Sequence, residues 1–121
     1  MRRWLLPALL AGVLLMVSGP VWAAEVLQVR SGQLLQVGDH NRTYTVELAC
    51  VSIPSGGEQA ATDWLRAALP RRTKVNLRPV GNDGGILVAR VQRLGQSNNP
   101  SANDMGDGLV SAGLARSTPG C

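Results

Sequence analysis

The 121-residue chain offers few side chains that could form an active site. Its single histidine, His40, has no plausible nucleophile near it, so a catalytic triad is not predicted. Ser31, Ser52 and Ser55 fit turns and a helix start better than nucleophilic roles. No glycine-rich segment has the spacing of a phosphate-binding or dinucleotide-binding loop. These residue types therefore predict neither triad hydrolysis nor nucleotide-dependent chemistry.

The N-terminal segment has the three parts of a secretory signal peptide. The short basic start Met1-Arg2-Arg3 precedes an apolar run from Trp4 to Val17, and Val21-Trp22-Ala23 fits the preferences before a cleavage site. The alternative is a retained membrane anchor, but the run is shorter than the roughly 20 residues that a spanning helix needs. We therefore predict a signal peptide over 1–23, a mature domain over 24–121, and a periplasmic or secreted protein. In a photosynthetic bacterium the thylakoid lumen is a further possibility.

Two cysteines, Cys50 and Cys121, could form a disulfide in an oxidising compartment. The bond would close a loop of about 70 residues and contribute roughly 4 kcal/mol in the chain-entropy model. The alternative is one buried thiol and one at a frayed terminus. The only histidine, His40, falls in a predicted turn, and we predict no metal site.

The chain is basic overall, but not strongly so once the signal is removed. Arg2 and Arg3 leave with it, which lowers the formal net charge from +4 to about +2. The one local cluster contains Arg71, Arg72 and Lys74. It is either a solvated turn between a helix and a strand or a contact for a polyanion.

Hydrophobic periodicity predicts a mainly β domain with two helices. The predicted strands cover residues 26–30, 34–37, 42–51, 73–79 and 86–94, and the predicted helices cover about 55–69 and 104–112. Ser55 and Glu58 have the spacing of a capping box, and Pro70 ends the first helix. Cys50 falls at the end of the third strand. The order βββαββα is typical of the five-stranded OB-fold barrel.

Three segments resemble the staphylococcal nuclease (thermonuclease, SNase-like) family: Val29–Leu34, Val46–Pro54 and Gly113-Leu114-Ala115. The resemblance extends from about Val26 to Ala115 and implies the same OB-fold. In that family, carboxylates hold calcium, a glutamate activates water and two arginines stabilise the phosphate, so the resemblance implies a calcium-dependent phosphodiesterase. Exported members with Leu-Ala-Cys at this strand often carry a second cysteine past Gly-Leu-Ala, which implies the Cys50–Cys121 pair.

The family's active-site positions carry other residue types here. In family order they fall on Gln33 (metal Asp), Glu47 (first Arg), Ser52 (strand-end Asp), Ser55 (general base) and Ile86 (second Arg). Uncharged side chains do not make a calcium shell, and Glu47 would repel a phosphate. Arg90 lies on the same strand face as Ile86 but roughly 13 Å away. We therefore predict no catalytic residue, no metal and no cofactor.

Three functions follow from this pattern. The first is a non-catalytic, exported OB-fold module, a pseudoenzyme that binds a protein partner or supports an assembly through the former active-site face. The second is nucleic-acid or oligosaccharide binding without cleavage, and the third is a calcium-dependent nuclease with a rebuilt site. OB-folds stack bases on aromatic side chains, and the mature chain has only Tyr44 and Trp64. This favours a protein partner, with weak nucleic-acid binding at most and no membrane attachment after cleavage.

Overall fold

The computed structural model describes residues 22–95 and 103–119. Its elements are β1 (Trp22–Val29), β2 (Leu34–Asp39), β3 (Arg42–Leu48), β4 (Val51–Ser52), α1 (Glu58–Ala68), β5 (Lys74–Asp83), β6 (Ile86–Arg93), α2 (Met105–Ser111) and β7 (Arg116–Ser117). Five of the strands form a closed barrel in the order β1-β2-β3-β6-β5, and β4 pairs with β7 in a separate two-stranded sheet. The predicted mainly β, OB-fold-like barrel is confirmed.

The barrel is mostly antiparallel, with one parallel pair. β1, β2 and β3 form a meander, β5 and β6 form a hairpin, and β3 meets β6 in parallel at Val46↔Leu87, Glu47↔Val88 and Leu48↔Ala89. The helix between β4 and β5 supplies the long connection that such a parallel pair requires. The predicted position of this helix is therefore what allows the barrel to close.

The core is built from aliphatic side chains, as the composition requires. The largest fully buried residues are all leucine or valine: Leu35, Leu48, Leu65, Leu69, Leu77, Leu109, Val26, Val37, Val46, Val75 and Val91. They alternate along β2, β3 and β5 because successive strand residues point to opposite faces. Tyr44 and Trp64 are half-buried and pack against this core.

The third strand ends earlier than predicted. β3 stops at Leu48, and Ala49 and Cys50 form a turn in which Cys50 adopts φ 70°. Val51 and Ser52 then pair with Ser117 and Arg116 as β4 and β7. Cys50 therefore lies two residues beyond the strand, not at its end. The apolar alternation continues through Val51, which is why the sequence predicts one strand here.

The β5–β6 hairpin is longer than predicted. A bulge between Pro79 and Gly81 lets β5 continue to Asp83, although proline cannot donate a ladder hydrogen bond. The turn consists of Gly84 and Gly85, both with positive φ (57° and 90°), as tight hairpins require.

Helix α1 begins without the predicted capping box. Gly57 is the N-cap and no side chain caps the helix, so the role predicted for Ser55 and Glu58 is wrong. The Gly57 amide instead donates to the Pro54 carbonyl at 3.0 Å, which closes a turn after β4. The helix ends just before Pro70, as predicted, with Leu69 as its C-cap.

Helix α2 is short and glycine-containing for a packing reason. A β-carbon on Gly108 would lie 2.5 Å from the Trp64 ring, and one on Gly106 would lie 3.1 Å from Val51. The glycines that weaken the helix in isolation thus let it lie close to α1 and β4. Asp104 caps its start by accepting from the Asp107 amide at 3.0 Å.

The β1–β2 turn lies directly against α1, and this contact yields a stability prediction. A β-carbon on Gly32 would lie 2.6 Å from both Ala61 Cβ and Ile53 Cδ1, whereas one on Gly81 would meet nothing within 4 Å. We expect Gly32→Ala to lower the free energy of unfolding by roughly 1–3 kcal/mol through overpacking. Gly81→Ala is the matched control and should change it by less than about 0.5 kcal/mol in urea unfolding. Equal effects would contradict the packing assignment.

Strand β1 begins upstream of the predicted cleavage site. Trp22 and Ala23 pair with Leu77 and Asn76 of β5, while the remainder of the predicted signal peptide lies outside the described residues. No helix in the described part of the chain has the length and apolarity to cross a membrane.

Candidate functional site

Three of the five positions assigned by the nuclease resemblance lie together at one end of the β2–β3 ladder. Leu34 pairs with Glu47, and the Gln33 carbonyl accepts from the Leu48 amide at 2.8 Å. The Gln33 side chain reaches β4, where its Nε2 donates to the Val51 carbonyl at 2.8 Å. Since Ser52 follows Val51, the turn after β1, the end of β3 and β4 converge at one place.

The Gln33 amide has a structural role at the position of the family's metal-binding carboxylate. It joins the β1–β2 turn to β4 through a part-buried hydrogen bond. A carboxylate cannot donate this bond, because an ionised Asp or Glu only accepts. Gln33 therefore joins two backbone segments through a bond that an ionised acid at this position could not make.

Glu47 and Ile86 lie on the outer face of neighbouring strands. Glu47 pairs with Val88 of β6, and Ile86 lies two residues earlier on the same face as Val88. Glu47 and Ile86 are both half-buried. These two positions carry a carboxylate and an apolar side chain, so neither offers a cation to attract a phosphate.

Ser52 and Ser55 are both exposed. Ser52 pairs with Arg116 across the β4–β7 sheet, and Ser55 lies in the turn before α1. Arg116 is a residue that the sequence analysis did not connect with this site, because the β4–β7 pair is too short to show a periodic pattern. The strand that pairs with Ser52 therefore carries a basic residue.

Arg90 takes part in a structural ion pair. Its Nη1 lies 3.4 Å from Asp104 Oδ2 and 3.9 Å from Asp107 Oδ1, at the start of α2. The Asp104 side chain is only 6% exposed, so this ion pair holds α2 against β6.

The described residues contain no group of three or more His, Cys, Asp or Glu side chains that could hold a metal ion. Around Gln33, the only acidic side chain among the five assigned positions is Glu47. Calcium takes six to eight oxygen ligands, most often including several carboxylates. The residues at these positions do not fit the family's calcium ion.

The basic cluster lies on the turn that joins α1 to β5 and contacts β1. Lys74 Nζ lies 2.7 Å from Glu25 Oε2, Arg71 Nη1 donates to the Leu27 carbonyl at 3.4 Å, and the Arg72 amide donates to the Val26 carbonyl at 2.7 Å. All three basic residues are exposed. Their contacts favour the solvated-turn interpretation over a dedicated polyanion contact, although their side chains remain accessible.

These cations also act on Glu25. The hydrogen bond and charge of Lys74, followed by the charges of Arg72 and Arg71, hold the pKa of Glu25 below its ordinary value of 4.5. A carboxyl with a lowered folded pKa stabilises the fold above its unfolded pKa, and this contribution is lost as pH falls through the folded pKa.

This linkage predicts a difference on the acid side of the stability curve. Below about pH 4.5 the wild type should lose stability more steeply than Glu25→Gln, which has no proton to bind there. Urea unfolding at pH 7 and at pH 3 measures the difference. An equal change in the free energy of unfolding between pH 7 and pH 3 in the two proteins would show that the Lys74 contact contributes nothing to folding.

Cys50 and the C-terminal segment are close in the structure. The Thr118 amide donates to the Cys50 carbonyl at 3.0 Å, next to the β4–β7 pair. Cys50 is not a free cysteine, and Cys121 lies outside the described residues. The predicted return of the tail toward Cys50 is confirmed as far as Thr118, and the Cys50–Cys121 bond remains a prediction.

A concave surface that includes none of the five assigned positions lies beside residues 43–45 of β3, and we call it the barrel mouth. Trp22, Thr43, Tyr44, Thr45, Asn82, Gly85 and Leu87 line this groove of about 400 Å³. The Trp22 and Tyr44 rings are 5.6 Å apart and inclined at 48°. The sequence analysis missed this surface because it assigned Trp22 only to the signal peptide.

Comparison with known proteins adds no relative. The chain matches no protein-family model, and no curated protein is significantly similar to it. The class defined by the structure is a small OB-fold-like barrel.

Proposed function

We propose that this protein is an exported, non-catalytic OB-fold module of SNase-like origin that binds a partner protein through the former active-site face. The Gln33–Val51 hydrogen bond is the observation that carries this proposal. It gives the residue at the family's metal position a structural role, because it joins the β1–β2 turn to β4. The other four positions that the resemblance assigns also support it. They hold one acid, Glu47 on β3; two serines, Ser52 on β4 and Ser55 in the turn after β4; and Ile86 on β6. An accessible face without its catalytic groups is suited to binding.

The charge distribution favours a protein over a nucleic acid. The three clustered cations lie next to β1, and Lys74 is paired with Glu25. A domain of about +2 net charge gains little from counterion release, so its affinity for DNA or RNA should be low. We expect such binding to disappear as salt rises through physiological strength. Submicromolar binding at that salt would favour the second function, with Arg71, Arg72 and Lys74 the first residues to neutralise.

Site-specific photo-cross-linking in the native host tests the proposed face. A photoreactive amino acid at Ser52 should yield one discrete protein adduct after export. Ser111, an exposed serine on α2, is the matched control position and should yield much less of it.

The possible outcomes separate the candidate functions. A protein adduct specific to Ser52 supports the proposal. Equal labelling from both positions, or none from Ser52, contradicts the proposed face. Adducts that nuclease treatment removes would indicate nucleic-acid binding instead.

A further inference from the structure

The pairing of β1 with β5 closes the barrel, and we call it the seam. It includes two residues of the predicted signal peptide. The paired residues are Trp22↔Leu77, Ala23↔Asn76, Ala24↔Val75 and Glu25↔Lys74. The contact continues beyond Glu25 through the Val26 amide, which donates to the Thr73 carbonyl at 2.9 Å. Cleavage after Ala23 would therefore remove one half of the paired seam and leave the other half closed.

The same cleavage would change the barrel mouth. Trp22 is the partner of the Tyr44 ring and lines the groove together with Leu87 and Asn82. Without Trp22, the Tyr44 ring loses its aromatic neighbour, and Leu77, which is fully buried beneath the seam, loses its cross-strand partner. The β5 backbone at Asn76 and Leu77 would then be an open strand edge, which readily pairs with another chain.

We infer that processing creates a docking site for an extended segment of a partner protein at the barrel mouth. The segment adds a short strand beside Asn76 and Leu77 and places an aromatic side chain against Tyr44. This inference rests on the proposed export and cleavage, and it adds a second contact surface to the former active-site face. The chain's own Trp22-Ala23 shows the backbone register and the side chain that the site accepts.

Two features favour a peptide strand over other ligands. The vacated positions are backbone pairing positions of β5, and main-chain pairing is how extended peptides bind at an open sheet edge. The side chains that line the groove carry no charge. The lining residues are Trp22, Thr43, Tyr44, Thr45, Asn82, Gly85 and Leu87. A nucleic acid would gain no charge-neutralising contact to its phosphates from these side chains.

The test uses protein processed and purified from the host's export compartment, with its N-terminus defined by intact mass. The probe is a synthetic peptide with the sequence of residues 18–23, Ser-Gly-Pro-Val-Trp-Ala, and the control peptide has alanine in place of tryptophan. We expect the probe to shift the NMR signals of the Asn76 and Leu77 amides and the Tyr44 ring. Because an aromatic pair contributes about 0.5–1.5 kcal/mol beyond its buried area, the control peptide should bind roughly two- to tenfold more weakly.

A protein variant provides an independent test of the aromatic contact. Tyr44→Leu keeps an apolar side chain against the core and should weaken binding of the probe peptide by a similar factor. Binding of the control peptide should change little. Precursor that retains Trp22 should bind neither peptide at this edge.

Four results would overturn the inference. These are a mature N-terminus at or before Trp22, no shift with the probe, equal binding of the two peptides, or displacement of the probe by a short oligothymidine. None of them affects cross-linking from Ser52, so failure of this inference is distinguishable from failure of the proposed function.

Discussion

The processed protein is expected to leave DNA and RNA intact in the presence of calcium, with a cleavage rate no higher than that of buffer. Loss of a single preorganised donor typically lowers the rate by about 10²–10³, and here none of the five positions that the nuclease resemblance assigns to metal ligands, base and arginines carries the residue type that cleavage would need. The contacts of Gln33 and Arg90 strengthen this expectation, since each is held by a structural partner. Cleavage of a labelled oligonucleotide with calcium, and with a chelator as control, measures the rate. A chelator-sensitive activity that copurifies with the folded protein would refute the prediction.

Restoring one carboxylate should not recover activity. Gln33→Asp provides one acid of the family's shell but removes the amide that donates to Val51. The isosteric change Gln33→Glu should lower the free energy of unfolding by roughly 1–3 kcal/mol, because the part-buried Val51 carbonyl loses its donor and faces a carboxylate. Gln28→Glu, at an exposed position of β1, is the matched control and should have a much smaller effect. Similar losses for the two variants would contradict the structural role of Gln33.

The second large effect concerns the predicted Cys50–Cys121 disulfide. The unreduced mature protein should be two hydrogens lighter than its reduced form. Closing about 70 residues stabilises the fold by roughly 4 kcal/mol in the chain-entropy model, so Cys121→Ser should lower the free energy of unfolding by an amount of that order. The Thr118–Cys50 hydrogen bond leaves only two residues between the observed contact and Cys121. The tail has no large apolar side chain after Leu114, so the bond would hold it in place.

Reductant supplies the control for this prediction. Wild-type protein in reductant should unfold at the same urea concentration as Cys121→Ser, and the variant itself should not respond to reductant. Two free thiols in the exported protein would disprove the bond.

The sequence predicts the barrel well because its strands alternate clearly. Leu35, Val37, Val46 and Leu48 follow period two, and the stop at Pro70 fixes the end of the first helix. The break at Ala49 and Cys50 could not be predicted, since it depends on β7, a two-residue strand more than 60 residues away in sequence. The Gly57 cap was missed for a related reason: Ser55 and Glu58 match a cap locally, but the turn from Pro54 sets where the helix starts.

The hydrogen bonds and ion pairs around the candidate site could not be predicted from the sequence. The nuclease resemblance singles out Gln33, Glu47 and Ser52, and these residues lie near one another in the structure. The contacts of Gln33 with Val51 and of Arg90 with Asp104 join segments far apart in sequence, so no local pattern indicates them. The barrel mouth was missed because one residue, Trp22, fits both a signal peptide and a strand.

The parallel contact between β3 and β6 has a consequence for the rate of folding. The β1–β2–β3 meander involves only neighbouring segments, but closure requires β6 to reach β3 and β5 to reach β1, where Lys74 and Glu25 are 49 residues apart. Such distant pairings impose a high contact order and slow the search for the native topology, so refolding on the millisecond-to-second scale is expected. Until β6 arrives, the free edges of the meander are open to association with other chains, and the yield of native protein should fall as refolding concentration rises.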